Sequence, residues 1–181
     1  MERCRMVFSG SGGQGVITAA IILAEAAVLH EGLEAVQTQA YGAAARGGAT
    51  RSDVIIADTP INFPKVIQPN VLVCLTQEAY NKFYDIIRPG GMLVTDPRFV
   101  QTQMKVDAIQ RELPMYETVM EKIGKPIVFN ICMLGAVVAL TDLVQPASIM
   151  AVLRKRIPSG FVDMNQKALD IGIALGASHK R

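Results

Sequence analysis

The sequence predicts an α/β fold of three αβα layers around a mixed, mostly parallel sheet with a Rossmann-like βαβ start. Three observations predict it. Short Val/Ile/Leu-rich runs bounded by turn residues alternate with longer apolar stretches of helical length. The first run leads directly into Gly10-Ser11-Gly12-Gly13-Gln14-Gly15 and then into an Ala/Ile/Leu-rich stretch, the order of a strand–turn–helix unit. The run at 71–75 (VLVCL) is apolar throughout, as a strand covered on both faces reads. At 181 residues, the chain 1–181 reads as a single domain.

The elements follow in order. Residues 5–9 form a short apolar strand. A helix then runs from Val16 to about His30, with Gly32 placed to end it. Residues 33–39 read as a second strand and 51–58 as a third, stopped by Thr59-Pro60. Only the small-residue stretch 41–50 joins these two, which is too little for a helical crossover, so an antiparallel pairing is expected here. After the strand at 71–75 comes a helix over 77–87, with Tyr80, Phe83, Tyr84 and Ile87 on one face. Arg88-Pro89-Gly90-Gly91 makes a turn into a strand at 92–95. A helix broken or started at Pro114 lies within 109–123. A last short strand is expected at 126–129, with Asn130 as N-cap of a helix over 131–143. Pro146 opens a helix to about Ile157, and a final helix covers 162–176 before a polar, fraying tail.

Composition excludes several function classes. Hydrophobic residues make up 50% and charged residues 19%, which rules out a disordered chain. The 18 Lys and Arg barely outnumber the 16 Asp and Glu, with no long basic or acidic run, so no nucleic-acid partner is expected. Three widely spaced cysteines, Cys4, Cys74 and Cys132, form neither a disulfide framework nor a CxxC site. With no signal peptide in view, the chain reads as cytoplasmic. Two histidines leave little for a His-based metal centre, and no metal site is assigned. The most apolar stretches, 16–29 and 127–140, contain Glu25 and Asn130 and fall short of the roughly 20 residues of a membrane span. They read as buried helices, apolar on nearly every face. In so small a chain such helices call for cover by another subunit.

Two segments are candidates for binding. Gly10, Gly12 and Gly15 satisfy G-x-G-x-x-G between a strand and a helix, where glycines permit a tight turn and helical N–H groups attract anions. Dinucleotide binding also needs an acidic residue at the end of the second strand. That strand ends Gln37-Thr38-Gln39, and Glu31 and Glu34 precede it. No Lys-Ser/Thr follows the glycines, which excludes a Walker loop. Gly10, Gly12, Gly13, Gln14 and Gly15 therefore hold an anion or a neighbouring chain, or make a packing turn. A stand-alone nucleotide-binding module using this turn is the alternative function. The second segment, Tyr41 to Thr50, surrounds Arg46, Gly47 and Gly48 with small residues. It is a connector, or a surface that another chain approaches closely while Arg46 presents its charge. Catalytic constellations are absent: no G-x-S-x-G elbow, no Cys/His pair, and carboxylates scattered over strand ends and turns. Catalytic residues are therefore assigned to none.

These motifs, with Leu134-Gly135 after Asn130 and Asn165-Gln166-Lys167-Ala168 near the end, resemble the gamma subunit of 2-oxoacid:ferredoxin oxidoreductases, over nearly the whole chain and in order. Family members usually carry Pro-Glu between the tyrosine and the arginine, where this chain has Ala43-Ala44-Ala45. The resemblance implies oxidative decarboxylation of a 2-oxoacid, most like 2-oxoglutarate, on thiamine diphosphate, with formation of an acyl-CoA and reduction of ferredoxin. It implies alpha, beta and ferredoxin-like delta subunits as partners. Thiamine diphosphate, Mg2+ and [4Fe-4S] clusters are expected in the assembled complex and no cofactor in this chain, which would be inactive alone.

Overall fold

The computed structural model describes residues 3–40 and 48–180. Strand β1 (Cys4–Gly10) leads through a 3-10 turn (Gly12–Gln14) into helix α1 (Val16–His30). Gly32 then adopts a left-handed φ of 66°, and the chain reverses into β2 (Glu34–Ala40). β3 (Thr50–Ala57) and β4 (Val71–Cys74) follow, then α2 (Gln77–Phe83), whose N-cap Thr76 accepts a hydrogen bond from the Ala79 amide. β5 (Gly91–Thr95) and β6 (Ala108–Glu112) complete the sheet. Four helices close the chain: α3 (Met115–Lys122), α4 (Phe129–Thr141), α5 (Pro146–Arg156) and α6 (Val162–Ser178).

The six strands lie in the order β2-β3-β1-β4-β5-β6. β3 is antiparallel to both β1 and β2, while β1, β4, β5 and β6 run parallel. The short 41–49 connection forces β3 to turn back, as expected. Because β3 inserts beside β1, the opening βαβ unit is split: β2 lies one strand away from β1 rather than next to it.

Strand alternation divides the core. Met6, Phe8, Val54, Ile56 and Val73 face α1, α3, α4, α5 and α6. Val7, Ile55, Leu72, Cys74 and Leu93 face α2, the connection 58–70 and, after β5, Phe99, Val100 and Val106. Five helices thus crowd one face, and α4 sits deepest among them, buried at Ile131–Val138 and Leu140. The subunit cover expected for α4 is supplied by the chain itself. α6 lies so close that a Cβ on Gly172 would sit 1.8 Å from the Cys132 carbonyl oxygen, and one on Gly135 2.3 Å from that of Leu169. α1 is mostly covered as well; only its last turn exposes apolar side chains, Val28 at 46% and Leu29 at 60%.

The structure corrects other expectations. Residues 126–129 are not a strand: Pro126–Val128 is a single 3-10 turn, for which proline at the first position is pre-set, and it runs on into α4. The sixth strand is β6, whose polar sequence AIQRE suits a half-exposed sheet edge and hid it from an apolar-run criterion. Asn130 lies inside the first turn of α4, where Val128 is the N-cap. α6 continues to Ser178, past the tail's expected fraying point.

Candidate functional site at the glycine turn

β1 ends at Gly10 beside the start of β3, where two side chains lock the strands. Ser9 Oγ donates to the Thr50 carbonyl (2.7 Å), and Thr50 Oγ1 donates to that of Gly10 (2.9 Å). The glycine-rich turn then folds over the end of β4. Gln14 Oε1 accepts from the Ser11 amide (2.8 Å), while its Nε2 donates to the Leu75 carbonyl (2.9 Å). One amide side chain thus ties the turn to the neighbouring parallel strand. Gly15 begins α1 with φ 69°, and Asn130 Nδ2 donates to its carbonyl (3.3 Å). Asn130 is a clamp from α4 onto α1, a use that an Asn in an otherwise apolar helix signals in the sequence only as an oddity.

The glycines divide into two kinds. A Cβ on Gly10 would lie 2.5 Å from Gln14 Oε1, and one on Gly15 2.6 Å from Asn130 Nδ2. The chain's own packing excludes side chains there. Gly12 and Gly13 are exposed: a Cβ on Gly12 would meet only Thr50 Cγ2 at 4.0 Å, and one on Gly13 would meet nothing within 4 Å. Neither has a left-handed φ. Nothing within the described residues requires glycine at these two positions. They stand in front of the first turn of α1, whose leading amides have no helical acceptor and favour negative charge.

Beside this turn, from Thr18 and Asn130 outward, runs a groove of about 370 Å³ lined by Ile22, Ile131, Leu153, Ile157 and Phe161. Ile127 at its edge is 78% exposed and Phe161 53%. Glu25 on α1 and Arg156 on α5 pair near its end, and the Arg156 hydrogen bond holds the Glu25 carboxyl below its ordinary range.

The described end of the second candidate segment, Gly48 to Thr50, lies at the same place. Gly48 is half-buried and leads through Ala49 into Thr50, which bonds Gly10. Arg46 and Gly47 lie outside the described residues. Arg51, two residues past Ala49, is held by a two-pronged pair with Asp53 (2.6 and 2.9 Å) and a hydrogen bond to the Val66 carbonyl.

The remaining chemical groups serve the fold. Burial pushes the Cys74 and Cys132 thiols up to about 12, so neither is a ready thiolate. Asp96 is buried and accepts from the amides of Arg98 and Tyr116, capping α3 from the end of β5; burial raises its pKa despite these bonds. Among the described residues, no group of three or more His, Cys, Asp or Glu side chains is placed to hold a metal ion, and no helix is long and apolar enough to cross a membrane.

Residues 5–175 match the family described as pyruvate ferredoxin/flavodoxin oxidoreductase. The 2-oxoglutarate synthase subunit KorC of Methanocaldococcus jannaschii is 46% identical over 166 residues, 91% of this chain and 89% of that one. The pyruvate synthase subunit PorC of Methanothermobacter marburgensis is 31% identical over 169 residues, 91% of this chain and 92% of that one. A crystal structure of a keto/oxoacid ferredoxin oxidoreductase gamma subunit from Geobacter sulfurreducens superposes with a TM-score of 0.91 at 38% identity, covering 100% of both chains. The family match, the sequence identity over nearly the full length and the superposition of the fold agree, and the chain belongs to the gamma subunits of the 2-oxoacid:ferredoxin oxidoreductases.

Proposed function

We propose that this chain, as a single domain, is the gamma subunit of an enzyme that oxidatively decarboxylates 2-oxoglutarate to an acyl-CoA while reducing ferredoxin, and that its glycine turn meets an anion or a neighbouring subunit. The higher identity to a 2-oxoglutarate synthase subunit than to a pyruvate synthase subunit supports the choice of 2-oxoacid. The observation that carries the site is the pair Gly12 and Gly13, exposed glycines that the chain's own packing does not require. Glycine there leaves a bare backbone facing outward, so another molecule's phosphate, carboxylate or main chain reaches the α1 amides. Arg46, Gly47 and Gly48, just ahead of Thr50 in the sequence, belong to the same proposed contact, since an arginine offers a two-donor fork to a phosphate or carboxylate.

Thiamine diphosphate, Mg2+ and [4Fe-4S] clusters reside in the other subunits. The three cysteines here do not suit a cluster, since Cys74 and Cys132 are buried with thiols raised to about 12. Decarboxylation and electron transfer are the chemistry of those groups. This chain's part is to seat its partners and to present the glycine turn. Assembly takes place in the cytoplasm with alpha, beta and ferredoxin-like delta subunits.

Purification of the tagged chain from its native cells tests the reading. Thiamine diphosphate, iron and 2-oxoglutarate-dependent ferredoxin reduction should co-purify with it. A chain that arrives alone and binds NAD(H) or ATP tightly in calorimetric titration contradicts it and favours the stand-alone nucleotide module.

A further inference from the structure

The sheet face opposite the five helices carries a surface that the glycine turn does not use. Here α2, the connection 58–70 and, after β5, Phe99, Val100 and Val106 cover the strands. That connection contains Pro60, Pro64 and Pro69 and is anchored by buried Val66, whose carbonyl accepts from Arg51 (2.7 Å). On either side of the anchor it holds two large apolar side chains out in solvent, Phe63 at 55% and Ile67 at 70% exposed. A cleft of about 650 Å³ around them is lined by Arg5, Lys65 and Arg88 together with Gln68 and Pro89, and by no carboxylate. The adjoining cleft shares Lys65 and Ile67 and adds Lys82 and Arg51; its one acid, Asp53, is already taken by Arg51. Asp58 stands at the start of the connection, and Asp85 and Asp107 line a further cleft beyond Pro89.

We infer that this face is a docking surface for an acidic segment of another subunit, with Phe63 and Ile67 as its apolar anchors and Lys65 at the centre of its charge. The inference rests on the reading of the chain as one subunit of a larger enzyme. An exposed aromatic beside an exposed aliphatic, fixed on a proline-braced loop, loses little conformational freedom on binding. The surrounding cations select acidic partners and speed their encounter. A small phosphorylated ligand fits less well: the cleft is open, and its apolar side chains project outward instead of walling a pocket.

The test reconstitutes the complex from separately purified subunits and measures the affinity of this chain for the rest at low and high salt. Phe63→Ser and Lys65→Glu change exposed side chains, and the melting temperature of each variant chain serves as the folding control. The double variant should bind at least tenfold more weakly, and its affinity should respond less to salt than the wild type's. Lys155→Glu, on α5 of the opposite face, should bind as wild type. Wild-type affinity and salt response in the double variant overturn the proposal. So does normal assembly with weakened coenzyme A binding, which assigns the cations to a phosphate ligand instead. If the wild-type chain itself fails to join the other subunits, the reading as a gamma subunit of that enzyme falls first.

Discussion

Gly15 has two independent reasons to be glycine. Its φ of 69° costs an L-residue roughly 1–2 kcal/mol, and Asn130 occupies the space of its Cβ. Gly15→Ala should therefore destabilise the isolated chain by about 2 kcal/mol or more, read by denaturant unfolding. Gly12→Ala should change stability by no more than about 0.5 kcal/mol, as an exposed position with room for a side chain does. A sequence pattern treats the glycines of G-x-G-x-x-G alike. The structure separates Gly10 and Gly15, which the chain's own packing requires, from Gly12 and Gly13, which it does not, and an equal loss from both substitutions would remove that distinction. The pattern also leaves Asn130 looking like a helix cap, because its real partner, the Gly15 carbonyl, is 115 residues away.

Among elements, the α4–α6 pair shows why some of the resemblance motifs exist. Gly135 on one helix and Gly172 and Gly176 on the other let the two backbones touch, and Asn165, on the first turn of α6, bonds the Phe161 carbonyl (2.9 Å). Gly172→Ala places a methyl against the Cys132 carbonyl. The helices must part, at a cost of about 3 kcal/mol, the upper end of the usual overpacking range. A melting curve of the variant checks this. The Glu25–Arg156 pair, which ties α1 to α5, gives a pH dependence. The folded-state pKa of Glu25 is lowered, so its contribution is present at neutral pH and is lost as pH falls below the ordinary carboxylate range through the lowered value. Both side chains are partly solvated, which limits the effect to about 1 kcal/mol or less. Wild type should exceed Glu25→Gln in stability at pH 7, and the difference should shrink steadily as the pH falls below the ordinary carboxylate range, measured by denaturant unfolding across a pH series.

Across the molecule, the elements easiest to read were those with strong apolar patterns: β1, α1, β4, β5 and the order of helices at the end. The antiparallel turn into β3 followed from connection length alone. β6 escaped because an edge strand needs few apolar residues, and Pro126–Val128 misled because three apolar residues suit a strand or a 3-10 turn equally. The apolar excess in α4 reflects a helix buried within this chain, which composition cannot tell from one buried against a partner. The glycine turn was legible as a strand–turn–helix junction, but its clamps, Gln14 onto Leu75 and Asn130 onto Gly15, span 61 and 115 residues and appear only in three dimensions.

The central claim is that the turn's outward glycines work for the assembled enzyme and not for the fold. Gly13→Val tests it most directly, because nothing lies within 4 Å of the Cβ it adds. The measurement is 2-oxoglutarate-dependent ferredoxin reduction by complex reconstituted with this variant, with the melting temperature of the variant chain as control. The account predicts an unchanged melting temperature and activity reduced about tenfold or more, the loss of one charge-assisted contact of about 1.5–3 kcal/mol. Wild-type activity in a complex carrying Gly13→Val would contradict it and leave the glycine turn a feature of packing alone.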